Sequence, residues 1–159
     1  AVWRRASAAL YGQPSSAPQR QQPQFQTRRR CRECRCCCAA REGKVGAVRR
    51  WVASGVAVDV RDADQRTPLI YAAFHGVVES VAELLRLGAD ATATSVDGST
   101  ALHRAALYGY DSVVGALVGA GCDAAARTNG GRTAADMARS EGHAAFVAAV
   151  EAAGVAARE

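Results

Sequence analysis

Apolar residues recur through most of this chain in short helical runs, closed by glycine and separated by polar, turn-like stretches. Residues 62–88 show the pattern most clearly. Asp62–Arg66 is polar. Thr67-Pro68-Leu69 then opens a helix, because threonine can cap it and proline fits a first turn whose N–H has no intrahelical partner. Ile70 to Phe74 continues that helix, with Ala72 and Ala73 small enough to admit a neighbouring helix, and Gly76 ends it. Val77 to Leu87 predicts a second helix with Val78, Val81, Leu84 and Leu85 along one face, closed by Gly88.

The same pattern returns in a fixed register. Gly43, Gly76, Gly109 and Gly142 are 33 residues apart, as are Ala39, Ala72, Ala105 and Ala138. Val48, Val81, Val114 and Val147 keep that step, and so do Thr67, Thr100 and Thr133. Independent columns in one register identify stacked repeats, each a helix pair unable to bury its apolar face alone. Stacking aligns Trp51, Leu84, Leu117 and Val150 in one column and Val52, Leu85, Val118 and Glu151 in the next. Glu151 breaks its column in the last unit alone, as expected of a terminal repeat with a polar outer face. A further column, Cys36, Leu69, Leu102 and Ala135, shrinks toward the end.

Asp62-Ala63-Asp64-Gln65, Val96-Asp97-Gly98-Ser99 and Asn129-Gly130-Gly131-Arg132 lie between units. Asp-Gly and Asn-Gly are tight-turn signals, so these segments predict hairpin-like fingers. The first has Gln65 where the others have glycine and is expected to be less well formed.

Length allows one domain with a remainder, and aromatics make up only 6% of the chain, so Ala, Val and Leu must build the core. The net charge of +5 hides an asymmetry: the basic excess lies before residue 36, and the rest is slightly acidic. Residues 1–33 are rich in Gln, Pro, Ser and Arg. Gly12–Gln26 holds too little apolar surface to offset chain entropy, which predicts a disordered leader. Its composition, acid-free through Arg32 and rich in Arg, also fits a transit peptide, and Arg28-Arg29-Arg30 fits a nucleic-acid contact or nuclear address. The longest uncharged apolar run, Ser112 to Cys122, is too short to span a bilayer. The chain begins with Ala and its one Met is Met137, which suggests processing or a fragment, with a segment of a larger enzyme or channel as one alternative.

Thr67-Pro68-Leu69-Ile70-Tyr71-Ala72-Ala73-Phe74-His75-Gly76, closing in Gly88-Ala89-Asp90, resembles an ankyrin repeat. Thr100-Ala101-Leu102-His103-Arg104-Ala105-Ala106-Leu107-Tyr108-Gly109, closing in Gly121-Cys122-Asp123, resembles another. The fourth unit keeps Thr133, Ala138 and Gly142 but has Asp136 for the motif's His and Arg139 for its second Ala. The first has Cys34, Arg35, Cys36 and Cys37 where Thr-Pro-Leu-His belongs. The resemblance implies an all-α solenoid of helix–turn–helix units joined by fingers. It covers residues 34–158, in units of approximately 34–61, 62–94, 95–127 and 128–158, after the leader at 1–33.

Such stacks mostly bind other proteins, at the finger tips and the exposed end of each first helix. Position by position, that end falls on Arg41 and Glu42, Phe74 and His75, Leu107 and Tyr108, and Ser140 and Glu141. The two central pairs are apolar or aromatic and should face solvent as a binding hot spot. Asp64, Arg66, Val96, Asp97, Asn129 and Arg132 would form its polar rim. The competing reading is that Phe74 and Leu107 pack on neighbouring repeats. His103 is expected to bridge backbone groups between fingers and helices, as in the family.

Five of the six cysteines lie between Cys31 and Cys38. Cys31 and Cys34 make one C-x2-C, half of a zinc site, and Cys36 is the nearest further thiol. The repeat register instead points Cys36 and Cys37 into the first helix's core, where cysteine packs well. A poorly matched first repeat with incidental thiols, a metal or redox role, and lipidation beside basic residues are the three readings. His75 and His143 occupy unrelated positions and predict no metal site. No phosphate-binding glycine loop or hydrolase motif is present.

The combined expectation is a monomeric, intracellular, non-catalytic scaffold, cytoplasmic or nuclear with organelle import as an alternative. It needs no cofactor or small-molecule substrate, and its partner is another protein rather than nucleic acid or membrane.

Overall fold

The computed structural model describes residues 35–156 of the chain. The leader and the thiols Cys31 and Cys34 lie outside the described residues. Four helix pairs follow one another: α1 (Arg35–Arg41) with α2 (Val45–Ala53), α3 (Pro68–Phe74) with α4 (Val78–Arg86), α5 (Ala101–Tyr108) with α6 (Val114–Gly119), and α7 (Ala134–Ser140) with α8 (Ala144–Ala156). The described residues form no strand. In the third pair the second helix is entered through a 3₁₀ turn at Asp111–Val113.

Each first helix packs on the next first helix and each second helix on the next second helix. The result is two parallel layers with the core between them. Ala72, Ala73, Ala105 and Ala106 are completely buried, so first helices approach closely where only a methyl group separates them. Leu69, Leu84, Leu102, Leu117 and Phe146 fill the space between layers, and each such side chain contributes roughly 1.5–3 kcal/mol on burial. The valine column runs through this core: Val48, Val81 and Val114 are buried and Val147 packs at its edge. Ser80 shares a column with Ala47, Val113 and Phe146, and its buried hydroxyl has no hydrogen-bond partner.

The expected helix start is present. Thr67 is extended, Pro68 occupies the first turn, and Thr67 Oγ1 accepts a bond from Ile70 N at 3.4 Å. The fourth unit solves the same problem with different atoms. Asp136 Oδ2 accepts from Thr133 N at 3.1 Å and from Thr133 Oγ1 at 2.8 Å, so a carboxylate caps where the motif has an imidazole.

Two charged features hold neighbouring units. Glu83 is buried between α2 and α4 and accepts from Arg49 (2.7 and 3.0 Å) and from Arg86 (2.7 and 3.1 Å). Those two guanidinium groups hold its carboxyl down at about 2. At the last unit, Arg139 stands in the column of Ala40, Ala73 and Ala106, and its Nη2 donates to Glu151 at 2.8 Å. Both positions are apolar in the inner units, so here the stack presents a polar face.

Candidate functional site

The three fingers close alike. Ser95 N donates to Ser99 O at 3.0 Å and Gly98 N to Ser95 O at 2.9 Å. The third finger repeats this with Thr128 N to Arg132 O at 3.0 Å and Gly131 N to Thr128 O at 2.8 Å. The first finger was expected to be the weakest, and the structure corrects this. Asp62 N donates to Arg66 O and Gln65 N to Asp62 O, each at 3.1 Å, while Gln65 takes a left-handed φ of 59° in place of glycine. The Asp62 carboxylate makes up for the missing glycine. Its Oδ1 accepts from Asp64 N (2.9 Å) and Arg66 N (2.7 Å), and its Oδ2 from Tyr71 Oη (2.7 Å).

Adjacent fingers are joined tip to tip. Val96 N donates to Asp64 O and Asn129 N to Asp97 O, both at 3.0 Å, and Asn129 Nδ2 donates to Val96 O at 3.0 Å. His103 ties the third helix pair to the finger beyond it. Its Nδ1 accepts from Thr100 N at 3.2 Å, which leaves the proton on Nε2 to donate to Arg132 O at 3.3 Å. Burial depresses the affinity of this ring for a second proton. The backbone bridge expected for His103 is therefore present.

The C-terminal ends of α3 and α5 carry an aromatic patch. Phe74 and Tyr108, on adjacent units, meet edge to face with centroids 5.0 Å apart, and Phe74 meets His75 in the same way at 5.0 Å. Tyr108 stacks on Tyr110 at 5.9 Å. Tyr110 lies over Gly76, where an added Cβ would sit 2.6 Å from the ring, so the patch rests on bare backbone. His143 lies over Gly109 in the same manner, and its Nε2 donates to Leu107 O at 3.2 Å. Tyr108 remains 48% exposed. Burial first, and the Arg41 charge second, make His75 harder to protonate.

The predicted residues divide accordingly. Phe74, His75 and Tyr108 come together, with His75 and Tyr108 exposed and Phe74 half-buried. Both central pairs were expected to face solvent, and Phe74 and Leu107 depart from this: both are half-buried, Leu107 against the core. Val96, 63% exposed, and Asn129, Arg132 and Asp64 are exposed on the fingers. Arg66 is half-buried beside Asp64, at 3.6 Å. Asp97 is exposed, but its carboxylate is engaged within its own finger. It accepts from Ser95 Oγ, from Ser99 N and Oγ at 3.3 and 3.0 Å, and from Arg104 Nη2 at 2.8 Å. Burial alone would raise that carboxyl, yet these donors and the Arg104 charge hold it at about 2.

Sequence reasoning missed Tyr71 and Arg104. They sit one turn before the patch residues on the same helix face, at i−3 and i−4 from Phe74 and His75 and from Leu107 and Tyr108. That spacing was the available signal. With Arg66, Ile70 and Phe74 they line a narrow slot of about 20 Å³. A wider depression of about 330 Å³ lies on the last unit, lined by Arg139, Gly142, Ala144, Val147, Ala148 and Glu151, and shares no residue with the patch.

Cys36 and Cys37 are buried in α1, as the register predicts, and Cys38 is partly buried. Among the described residues no group of three or more His, Cys, Asp or Glu side chains is placed to hold a metal ion. Also among the described residues, no helix is long and apolar enough to cross a membrane.

A family model for ankyrin repeats in three copies matches residues 36–128. The fourth helix pair lies beyond that match. No curated protein matches the chain.

Proposed function

The chain belongs to the ankyrin-repeat family, and from that premise we propose that it binds a partner protein through the surface around Phe74, His75, Leu107 and Tyr108. Ankyrin repeats are generally protein-interaction modules and typically non-catalytic. The observation that carries the reading is the Phe74–Tyr108 pair, which joins two units while Tyr108 stays half in solvent. Aromatic side chains held side by side at a partly exposed surface are the groups most often found to dominate interface energies. Here they are fixed in advance. Tyr110 supports Tyr108 from below, Gly76 supports Tyr110, and the joined fingers fix the spacing between units. Little side-chain freedom is left to lose on association. Val96, Asn129 and Arg132 on the finger tips, with Asp64 and Arg66, form the polar margin, and Asp97 contributes mainly by holding its finger in shape.

The test is an affinity capture from native lysate with the wild type beside the Phe74→Ala/Tyr108→Ala double variant, both checked by circular dichroism. Removing two hot-spot rings is expected to weaken binding by at least about 2 kcal/mol, so a specific partner drops from the captured set while the helical signal is kept. An unchanged set on a folded variant refutes the reading. Loss of the fold would show instead that the two rings serve mainly packing.

A further inference from the structure

The slot between α3 and α5 holds donors that the fold uses only in part. Its lining residues are Arg66, Ile70, Tyr71, Phe74 and Arg104, so two guanidinium groups and two aromatic rings converge on about 20 Å³ of free space. A volume of that order admits one small polar group. The Nε atoms of Arg66 and Arg104 are both buried, and neither has a hydrogen-bond acceptor. Buried donors are ordinarily satisfied, so two unsatisfied ones on residues of the same slot need an explanation.

The neighbouring acids do not supply it. Asp62 spends its oxygens on Asp64 N, Arg66 N and Tyr71 Oη. Asp97 reaches Arg104 through Nη2 alone and gives its remaining capacity to Ser95 and Ser99. Arg66 interacts with the Tyr71 hydroxyl, lies 5.9 Å over the Tyr71 ring and makes a loose 3.6 Å contact with Asp64, while its Nε stays without an acceptor. A guanidinium carries five donors in a planar fork suited to a carboxylate, and both arginines retain unused ones.

Building on the binding surface proposed above, we infer that this slot is a specificity pocket for a carboxylate: the partner segment that covers Phe74 and Tyr108 places an Asp or Glu side chain between Arg66 and Arg104. The apolar walls Ile70 and Phe74 keep that contact dry, which strengthens it relative to an exposed ion pair.

The probe is a random dodecapeptide library displayed on phage and panned against the folded chain. Enriched sequences should carry Asp or Glu beside an apolar or aromatic residue, and their binding should be lost on the Phe74→Ala/Tyr108→Ala variant. For a synthetic peptide of the leading sequence, an acid-to-amide exchange (Glu→Gln or Asp→Asn) should raise Kd roughly tenfold or more on the wild type. On Arg104→Gln the same exchange should have little effect. Arg66→Gln provides the second arm should Arg104→Gln lose its fold along with the Asp97 contact. An acid-to-amide penalty equal on the wild type and on the folded arginine variants overturns the pocket. Enriched peptides that need Phe74 and Tyr108 but carry no acid also overturn it, while leaving the surface reading intact. Enrichment indifferent to Phe74 and Tyr108 removes both.

Discussion

Substituting Gly76 by alanine tests how the aromatic patch is supported. Two costs are separable. Gly76 has φ +67°, where an alanine is disfavoured by about 1–2 kcal/mol, partly offset by about 0.4–1 kcal/mol from the stiffer unfolded chain. The new Cβ would also lie 2.6, 2.7 and 2.8 Å from Tyr110 Cδ1, Cγ and Cε1. These atoms include the ring's base, so the side chain cannot simply swing its far end away. Overpacking of this kind costs about 1–3 kcal/mol. Gly121 supplies the control, since its φ is +90° and an added Cβ there meets nothing within 4 Å. Gly121→Ala is therefore expected to cost about 1 kcal/mol and Gly76→Ala about 3 kcal/mol by urea unfolding followed by circular dichroism. Tyr110→Ala closes the cycle: in that background the Gly76→Ala cost should fall to that of Gly121→Ala, a coupling of about 2 kcal/mol. Equal costs at the two glycines in the wild type, or no coupling to Tyr110, would refute the account of Tyr110 resting on bare backbone.

Gln65→Gly should stabilise the chain by about 0.5 kcal/mol, because relief of the left-handed residue slightly exceeds the added glycine entropy; a lower urea midpoint would show that the Gln65 side chain contributes something the finger geometry does not reveal. Ser80→Ala should raise stability by about 1 kcal/mol by removing a buried hydroxyl without a partner, and a loss of stability would mean that a partner exists. Burial lowers the His103 pKa from its ordinary 6.5, so the unfolded chain binds the proton more readily. The contribution of His103 is thus complete above about pH 6.5 and is lost as pH falls toward the folded value, at up to about 1.4 kcal/mol per pH unit. His75 is shifted in the same direction, so the discriminating measurement is the wild-type pH slope of the urea midpoint against that of His103→Gln, and parallel slopes would exclude His103 as a source.

Much of the architecture could be read from the sequence because several core positions keep the same side chain from one repeat to the next. The column of Val48, Val81 and Val114 or the Ala pairs of α3 and α5 needs no tertiary knowledge to be seen. The first finger was misjudged because a missing glycine is a modest penalty, and three bonds to one Asp62 carboxylate outweigh it. The register places Phe74 and Tyr108 at the same end of adjacent first helices, and their rings meet there. Tyr71 and Arg104 share a helix face with them one turn earlier, but the motif of each unit marks helix ends and not the slot that forms between two units. The support of Tyr110 by Gly76 joins positions in different units; the contact recurs as Val77 over Gly43 and His143 over Gly109, but the covering residue changes each time, so the letters do not announce it. Leu107 was expected at the surface; the register gives a residue's place in its unit but not the depth to which the next unit covers it.

The tip-to-tip bonds from Val96 to Asp64 and from Asn129 to Asp97 use main-chain atoms only. They therefore tolerate exchange of most tip side chains, with Gly98 the exception, since an added Cβ there would lie 2.9 Å from Asn129 N. Connection between repeats and the identity of the recognition surface are thereby inherited separately. A lineage can rewrite the tips residue by residue, or copy a whole unit, and keep the neighbouring units in register, so new partners become reachable without passing through an unfolded ancestor.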